Sequence, residues 1–416
     1  MEAVGVTKFR EYLRIKTVHP NPDYEKALEF LEAYGKELGL EVKLVQKYEK
    51  KYGVILMKWP GKNPKLSSIL LNSHTDVVPV YEEHWKHDAF AAVKEANGDI
   101  YGRGTQDMKC VGIQYLEAIR ELKSQGVQLK RDVYVSFVPD EEIGGIKGML
   151  AFMETEDFKT INLGLALDEG LANPMNKYSV FFGERSPLCK CLMKGHIYFP
   201  RQVQAISIRI RIKCTGDPGH GSRFIENNAG EKIRRVINFL LDFREKEKSK
   251  LKNAESCIML GDVTTVNLTK LEGGLAYNIV PAELVATFDL RIALTVDLKE
   301  FEEKLKGWCK AAGEGVTYEF IQSRHEHCPT SKTDDSNPWW KAFTGAISNT
   351  EISVEVFPAA TDSRFLRQAG YEAIGFSPMR NTPTLLHDHN EFLNEKVFLE
   401  GIQVYCSVIP ALANLP

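Results

Sequence analysis

The chain has 416 residues, too many for one ordinary core, so two domains are the expectation. It is 43% hydrophobic and 26% charged with a net charge of -3, which argues against a nucleic-acid or membrane-surface protein. No run approaches the roughly 18 apolar residues of a membrane helix, residues 1–5 lack the basic and apolar regions of a signal peptide, and the eight cysteines read mostly as reduced core thiols of a cytoplasmic protein.

Residues 7–40 read as helices: Phe9, Tyr12 and Leu13 recur at helical spacing, as do Ala27, Phe30, Leu31 and Tyr34, and His19-Pro20-Asn21-Pro22 breaks between the two sets. Strands are predicted at 54–57 and 68–71. The second runs straight into Asn72-Ser73-His74-Thr75-Asp76. The glycine-rich turn at 100–107 opens an amphipathic helix carrying Val111, Tyr115, Leu116 and Ile119. Residues 133–138 and 163–167 are two more strands. Strands alternating with helices imply βαβ units and a mostly parallel sheet.

The pattern changes after Pro187. Strand-like stretches at 206–213, 263–268 and 284–291, a charged helix over 228–250 and a helix over 298–312 read as a small α+β domain with an antiparallel sheet. The expected organisation is a catalytic domain formed by 1–187 and 313–416, with 188–312 inserted as a lid or dimerisation domain. The fold class expected is α/β.

The chemistry-bearing residues gather at strand ends, where open parallel sheets bind ligands. His74 leaves one strand with Asp76 two residues on; histidine is the commonest metal ligand and needs a partner to fix its tautomer. A loop histidine beside a solvated aspartate is the plainer alternative. Asp107 precedes a helix, where a cap serves as well as a ligand. Asp140-Glu141-Glu142 follows another strand; three adjacent carboxylates at a buried strand end repel one another unless a cation sits among them. A solvated acidic turn is the alternative, and Gly144-Gly145 argues for a tight turn instead. Asp168-Glu169-Gly170 repeats the arrangement, and His387 and His389 offer imidazoles near the C-terminus. His220 lies in a Gly/Pro loop of the small domain, where a plain turn histidine is the favoured reading of the residues alone. Two histidines with three carboxylates suit zinc better than magnesium or calcium, and five ligands suit a pair of zincs sharing one carboxylate. Metals about 3.5–4 Å apart lower the pKa of a shared water towards ~7, and a glutamate beside it serves as general base, then acid.

The motifs Ser73-His74-Thr75-Asp76-Val77-Val78-Pro79, Gly104-Thr105-Gln106-Asp107-Met108-Lys109, Pro139-Asp140-Glu141-Glu142-Ile143-Gly144-Gly145 and Ala166-Leu167-Asp168-Glu169-Gly170 resemble the dizinc aminoacylase and carboxypeptidase family. Flanking stretches at 69–72, 267–274, 335–340 and 358–362 draw the likeness, over nearly the whole chain, towards its aminoacylase branch. The resemblance implies two Zn2+ per chain. His74 and Asp168 would bind one zinc, Glu142 and His387 the other, and Asp107 would bridge them. Asp76 would orient His74, and Glu141 would be the general base. It further implies a homodimer in which His220 reaches the partner's active site and stabilises the oxyanion. Asn278 and Arg291 match substrate-site residues, and Arg364 matches a clamp for the substrate carboxylate, a bidentate task that suits guanidinium. The implied reaction is amide hydrolysis of N-acyl-L-amino acids. A dipeptidase or carboxypeptidase on the same scaffold and a catalytically silent binding relative are the alternatives. Residues 188–206 depart from the family as an added segment at the domain boundary.

Overall fold

The fold comes from a computed structural model whose described residues are 2–185, 208–252, 258–320 and 329–416. The apolar runs pair into one eight-stranded sheet. Its spatial order is Glu41–Val45, Val54–Trp59, Val133–Val138, Ser68–His74, Leu163–Asp168, Glu372–Phe376, Tyr178–Glu184 and Ile352–Phe357. The central four strands are parallel; Glu41–Val45 and Val54–Trp59 on one side, and Tyr178–Glu184 on the other, join them antiparallel. Ser68–His74 and Val133–Val138 are buried at every position, which is why they read as continuous apolar runs. Register places His74 opposite Val138. His74, the turn that begins at Asp140, and the residues after Leu167 therefore leave the sheet along one edge.

Helices Val4–Leu13, Tyr24–Glu37, Lys109–Ser124, Pro338–Ala346 and Glu395–Ala413 belong to the same compact unit, Met1–Gly183 with Pro329–Glu355 and Thr361–Pro416. Gly112 lets Lys109–Ser124 lie close on the sheet: a Cβ there would stand 2.6 Å from the Phe137 ring and 2.8 Å from Ser73 Oγ. Glu395–Ala413 is long and apolar enough on average to cross a membrane, by length and composition only, although Glu400, Gln403 and Ser407 interrupt its apolar residues. Phe398, Ile402, Tyr405, Ile409 and Leu412 of this helix are nevertheless core residues, and Phe398 stacks on Phe9 at 4.6 Å.

The second unit comprises Glu184–Cys328 with Val356–Ala360. Its antiparallel sheet runs Thr265–Gly273, Glu283–Arg291, Ile208–Thr215, Val316–Phe320. Helices Ala229–Lys252 and Leu298–Ala312 close its core through Val236, Leu240, Phe301 and Leu305, against Ile210, Ile212, Phe288 and Leu290. The sequence reading ended this domain at 312. Val316–Phe320 instead pairs with Ile208–Thr215, with Tyr318 opposite Ile212. Its alternating half-buried and exposed positions are those of an edge strand, a weak signal over five residues. The segment 188–206 lies outside the described residues.

Candidate metal centre

The strand Ser68–His74 delivers His74 fully buried, with Nδ1 2.9 Å from the Asp76 carbonyl oxygen. That contact turns Nε2 towards Asp107, whose Oδ1 is 2.8 Å away. The other oxygen of Asp107 faces a second imidazole: His387 Nε2 lies 3.2 Å from Oδ2 and 3.0 Å from Glu142 Oε2. One buried carboxylate thus stands between two histidines. Donor atoms of His74, Asp107 and Glu142 lie within 4.8 Å of one another, and so do those of His74, Glu141 and Glu169.

The turn after Val133–Val138 carries the two glutamates. Asp140 has φ 75° and His387 has φ 61°, left-handed conformations that cost about 1–3 kcal/mol each and cluster at functional sites. Gly145, at φ 64°, admits the close approach of Asp362: a Cβ there would stand 2.7 Å from Asp362 Oδ1. Asp76 holds the turn from below. Its Oδ1 accepts the Glu141 N–H and its Oδ2 the Glu142 N–H, both at 3.1 Å. Glu141 is buried and has Arg364 Nη1 at 3.5 Å. Arg364 donates to the carbonyls of Thr361 (2.7 Å) and Gly144 (2.9 Å).

Asp168 and Glu169 divide differently from the expectation. Asp168 Oδ1 accepts Asn72 Nδ2 at 3.0 Å, and Oδ2 accepts the Ser363 N–H at 2.8 Å and hydroxyl at 2.7 Å. Its carboxylate is engaged by the protein itself. Glu169, the next residue, brings Oε2 to 4.0 Å from His74 Nε2. Consecutive side chains at a strand end point opposite ways, so only one of such a pair meets the site.

The electrostatics call for cations. Burial pushes the Glu141 carboxyl well above the usual range, and Asp362 adds to the effect. Burial, Asp107 and Glu141 do the same to Glu169. Burial and Asp107 push Glu142 up. Burial opposes the charge of Asp107 too, but hydrogen bonds from His387 and His74 hold it well below the ordinary value. Burial opposes protonation of His387, yet Asp107 and Glu142 hold it up at about 11. His74 is likewise disfavoured by burial and held well above its usual value, chiefly by Asp107. Four buried carboxylates converge here, and their repulsion is offset by protons on two imidazoles or by metal ions in their place. Mixed imidazole and carboxylate donors fit a metal of the zinc type.

The sequence pattern of peptidase family M20/M25/M40 matches residues 70–411. The chain belongs to that family. This M20 chain is 52% identical over 419 residues to aminoacylase-1 of Sus scrofa, spanning 100% of this chain and 97% of that protein. It is 45% identical over 423 residues to aminoacylase-1 of Dictyostelium discoideum, spanning 99% of this chain and 98% of that one. Among solved structures it is similar to an M20 family metallo-carboxypeptidase, Sso-CP2, from Sulfolobus solfataricus, with a TM-score of 0.69 at 17% identity over 99% of this chain and 100% of that chain. At that identity the likeness concerns the fold.

The remaining residues singled out in this M20 chain lie in the second unit. Gly219–His220 pairs antiparallel with Ile279–Val280, and the Gly221 N–H donates to the Asn278 carbonyl at 2.8 Å, so His220 and Asn278 share one rim. Both are exposed, and Phe224, Leu275 and Tyr277 nearby in sequence are exposed as well. Arg291 ends the strand Glu283–Arg291, with Nε 3.1 Å from Asp289 Oδ1. Three residues at the site have no role expected from the sequence: Glu169, named there only beside Asp168; His19, whose Nε2 is 2.8 Å from Asp76 Oδ2; and Glu391, buried behind Asp107.

Proposed function

We propose that the protein is a zinc-dependent aminoacylase of the M20 family, acting on N-acyl-L-amino acids, typically N-acetyl, to release a carboxylate and a free L-amino acid. The observation that carries the reading is Asp107, a buried carboxylate with an imidazole on each oxygen and Glu141 in the same cluster, in a chain whose full-length relatives include aminoacylase-1. His74, Glu169 and Asp107 would hold one metal ion, and His387, Glu142 and Asp107 the second. Glu169 replaces Asp168 in that assignment, because Asp168 is spent on Asn72 and Ser363. Two zinc ions, when bound, polarise the acyl carbonyl and acidify the attacking water.

The protein's own groups do the rest. Asp76 fixes His74 through its carbonyl and fixes the Glu141 turn through its carboxylate. Glu141, whose carboxyl burial pushes up, is the general base of this reading. It takes a proton from the attacking water at its carboxylate and returns one to the departing amine nitrogen as the amide C–N bond breaks. Arg364 supplies the cation beside Glu141. Two of its five N–H donors are engaged by the Thr361 and Gly144 carbonyls, which orient the guanidinium beside Glu141.

His220 and Asn278 complete the active site of the partner in a homodimer, with His220 donating to the oxyanion. Arg291 supports the substrate from the same unit. Exposed Phe224, Leu275 and Tyr277 beside them are the apolar surface such a contact buries. Cys110, Cys214, Cys309 and Cys406 are free thiols, in keeping with a reducing cytoplasm. The test is steady-state hydrolysis of N-acetyl-L-methionine against the dipeptide Ala-Gly. The aminoacylase reading expects kcat/KM to favour the acetylated amino acid; preference for the dipeptide overturns it.

A further inference from the structure

Glu391 lies four residues beyond His387 and is wholly buried. Its carboxylate gathers the loop that ends in Asp107. Oε2 accepts Arg103 Nη1 at 2.7 Å and the Gly104 N–H at 3.2 Å. Oε1 accepts the Gln106 N–H at 2.6 Å, and the Thr105 hydroxyl and Asp107 N–H at 3.3 Å each. Arg103, whose guanidinium stacks on Trp85 at 5.2 Å, offsets the buried charge.

Gln106 answers from the other side. Its Nε2 donates to the carbonyls of Pro383 at 3.0 Å and Phe392 at 2.9 Å, and its Oε1 accepts the Leu385 N–H at 2.9 Å. Each of these partners flanks His387. The Asp107 loop is therefore held by a residue after His387, and the His387 loop by the residue before Asp107. Both loops need such support. His387 stands in a left-handed conformation, and Asp107 must meet two imidazoles at once.

We propose that Glu391 and Gln106 form a reciprocal latch that fixes Asp107 against His387, making both positioning residues of the metal centre. The inference rests on the reading above that Asp107 and His387 hold metal. A buried side chain that satisfies five donors from residues 103–107 leaves that loop one arrangement, and partners of this kind typically change metal affinity 10–100-fold.

The test compares full-length wild type with Glu391→Gln and Gln106→Ala. Zinc affinity is read by competition with a chromogenic chelator, with kcat, KM and the melting temperature of metal-stripped protein measured alongside. The latch predicts a roughly 10–100-fold loss of affinity for the weaker-held zinc and a fall in kcat larger than any change in KM, in both variants. Should Glu391→Gln fail to fold, Gln106→Ala carries the same prediction. Unchanged zinc affinity in a folded variant overturns the latch, including the case where only the stripped protein's melting temperature falls. A wild type that binds no metal overturns the reading beneath it instead.

Discussion

His19 Nε2 lies 2.8 Å from Asp76 Oδ2, on the same carboxylate that accepts the Glu141 and Glu142 N–H groups. A residue of the first interhelical loop thus steadies the turn that carries Glu141 and Glu142. Burial disfavours the charged His19 imidazole, but Asp76 outweighs it and the folded value is raised. The unfolded value is about 6.5. A raised folded value gives stability that is fully present below about pH 6.5 and is lost as pH rises through the folded value. His19→Ala should therefore cost about 1.5–3 kcal/mol near pH 6 and less at pH 9. Urea unfolding of both proteins at the two pH values checks this; a cost that grows with pH contradicts it.

Asp168 and Glu169 separate in geometry: one carboxylate meets Asn72 and Ser363, the other approaches His74. Glu169→Gln should lower the bound zinc below two per chain and reduce turnover. Asp168→Asn should keep its metal while losing about 1–3 kcal/mol of stability, because Ser363 and Asn72 lose their ionised acceptor. Metal analysis of the two purified variants decides between them, and loss of metal in Asp168→Asn alone restores the assignment expected from the sequence.

Gly112 tests the packing of Lys109–Ser124 on the sheet. In an exposed helix, Gly→Ala gains about 1 kcal/mol. Here the added methyl meets Phe137 and Ser73, so Gly112→Ala should destabilise by about 1–3 kcal/mol. A higher melting temperature in the variant refutes this packing.

Sharing of active sites across a dimer has its own signature. Homodimers of His220→Ala and of Glu141→Gln should each be nearly inactive. Mixed dimers should recover activity, since one of their two sites then holds both an intact Glu141 and an intact His220. Verified heterodimers without recovery exclude the shared site.

Much of this was legible in the chain. The fully buried strands Ser68–His74 and Val133–Val138 announce themselves as apolar runs, and each ends on chemistry because parallel strands share an edge. Asp168 against Glu169 was not legible: a two-residue period says that the side chains diverge, not which one meets the imidazole. His19 and Glu391 were hidden for another reason. They act across 57 and 284–288 residues of sequence, and such contacts leave no local pattern. Val316–Phe320 was missed because a half-exposed edge strand has almost no apolar signal.

Metal content measured together with turnover of Glu141→Gln tests whether the cluster around Asp107 is a two-metal site in which Glu141 moves the proton. The variant should hold about two zinc ions per chain, as in wild type, with kcat for N-acetyl-L-methionine reduced by about 10²–10⁴-fold. Wild-type turnover in the variant, or a wild type that hydrolyses this substrate with its metal removed, contradicts that reading of the cluster.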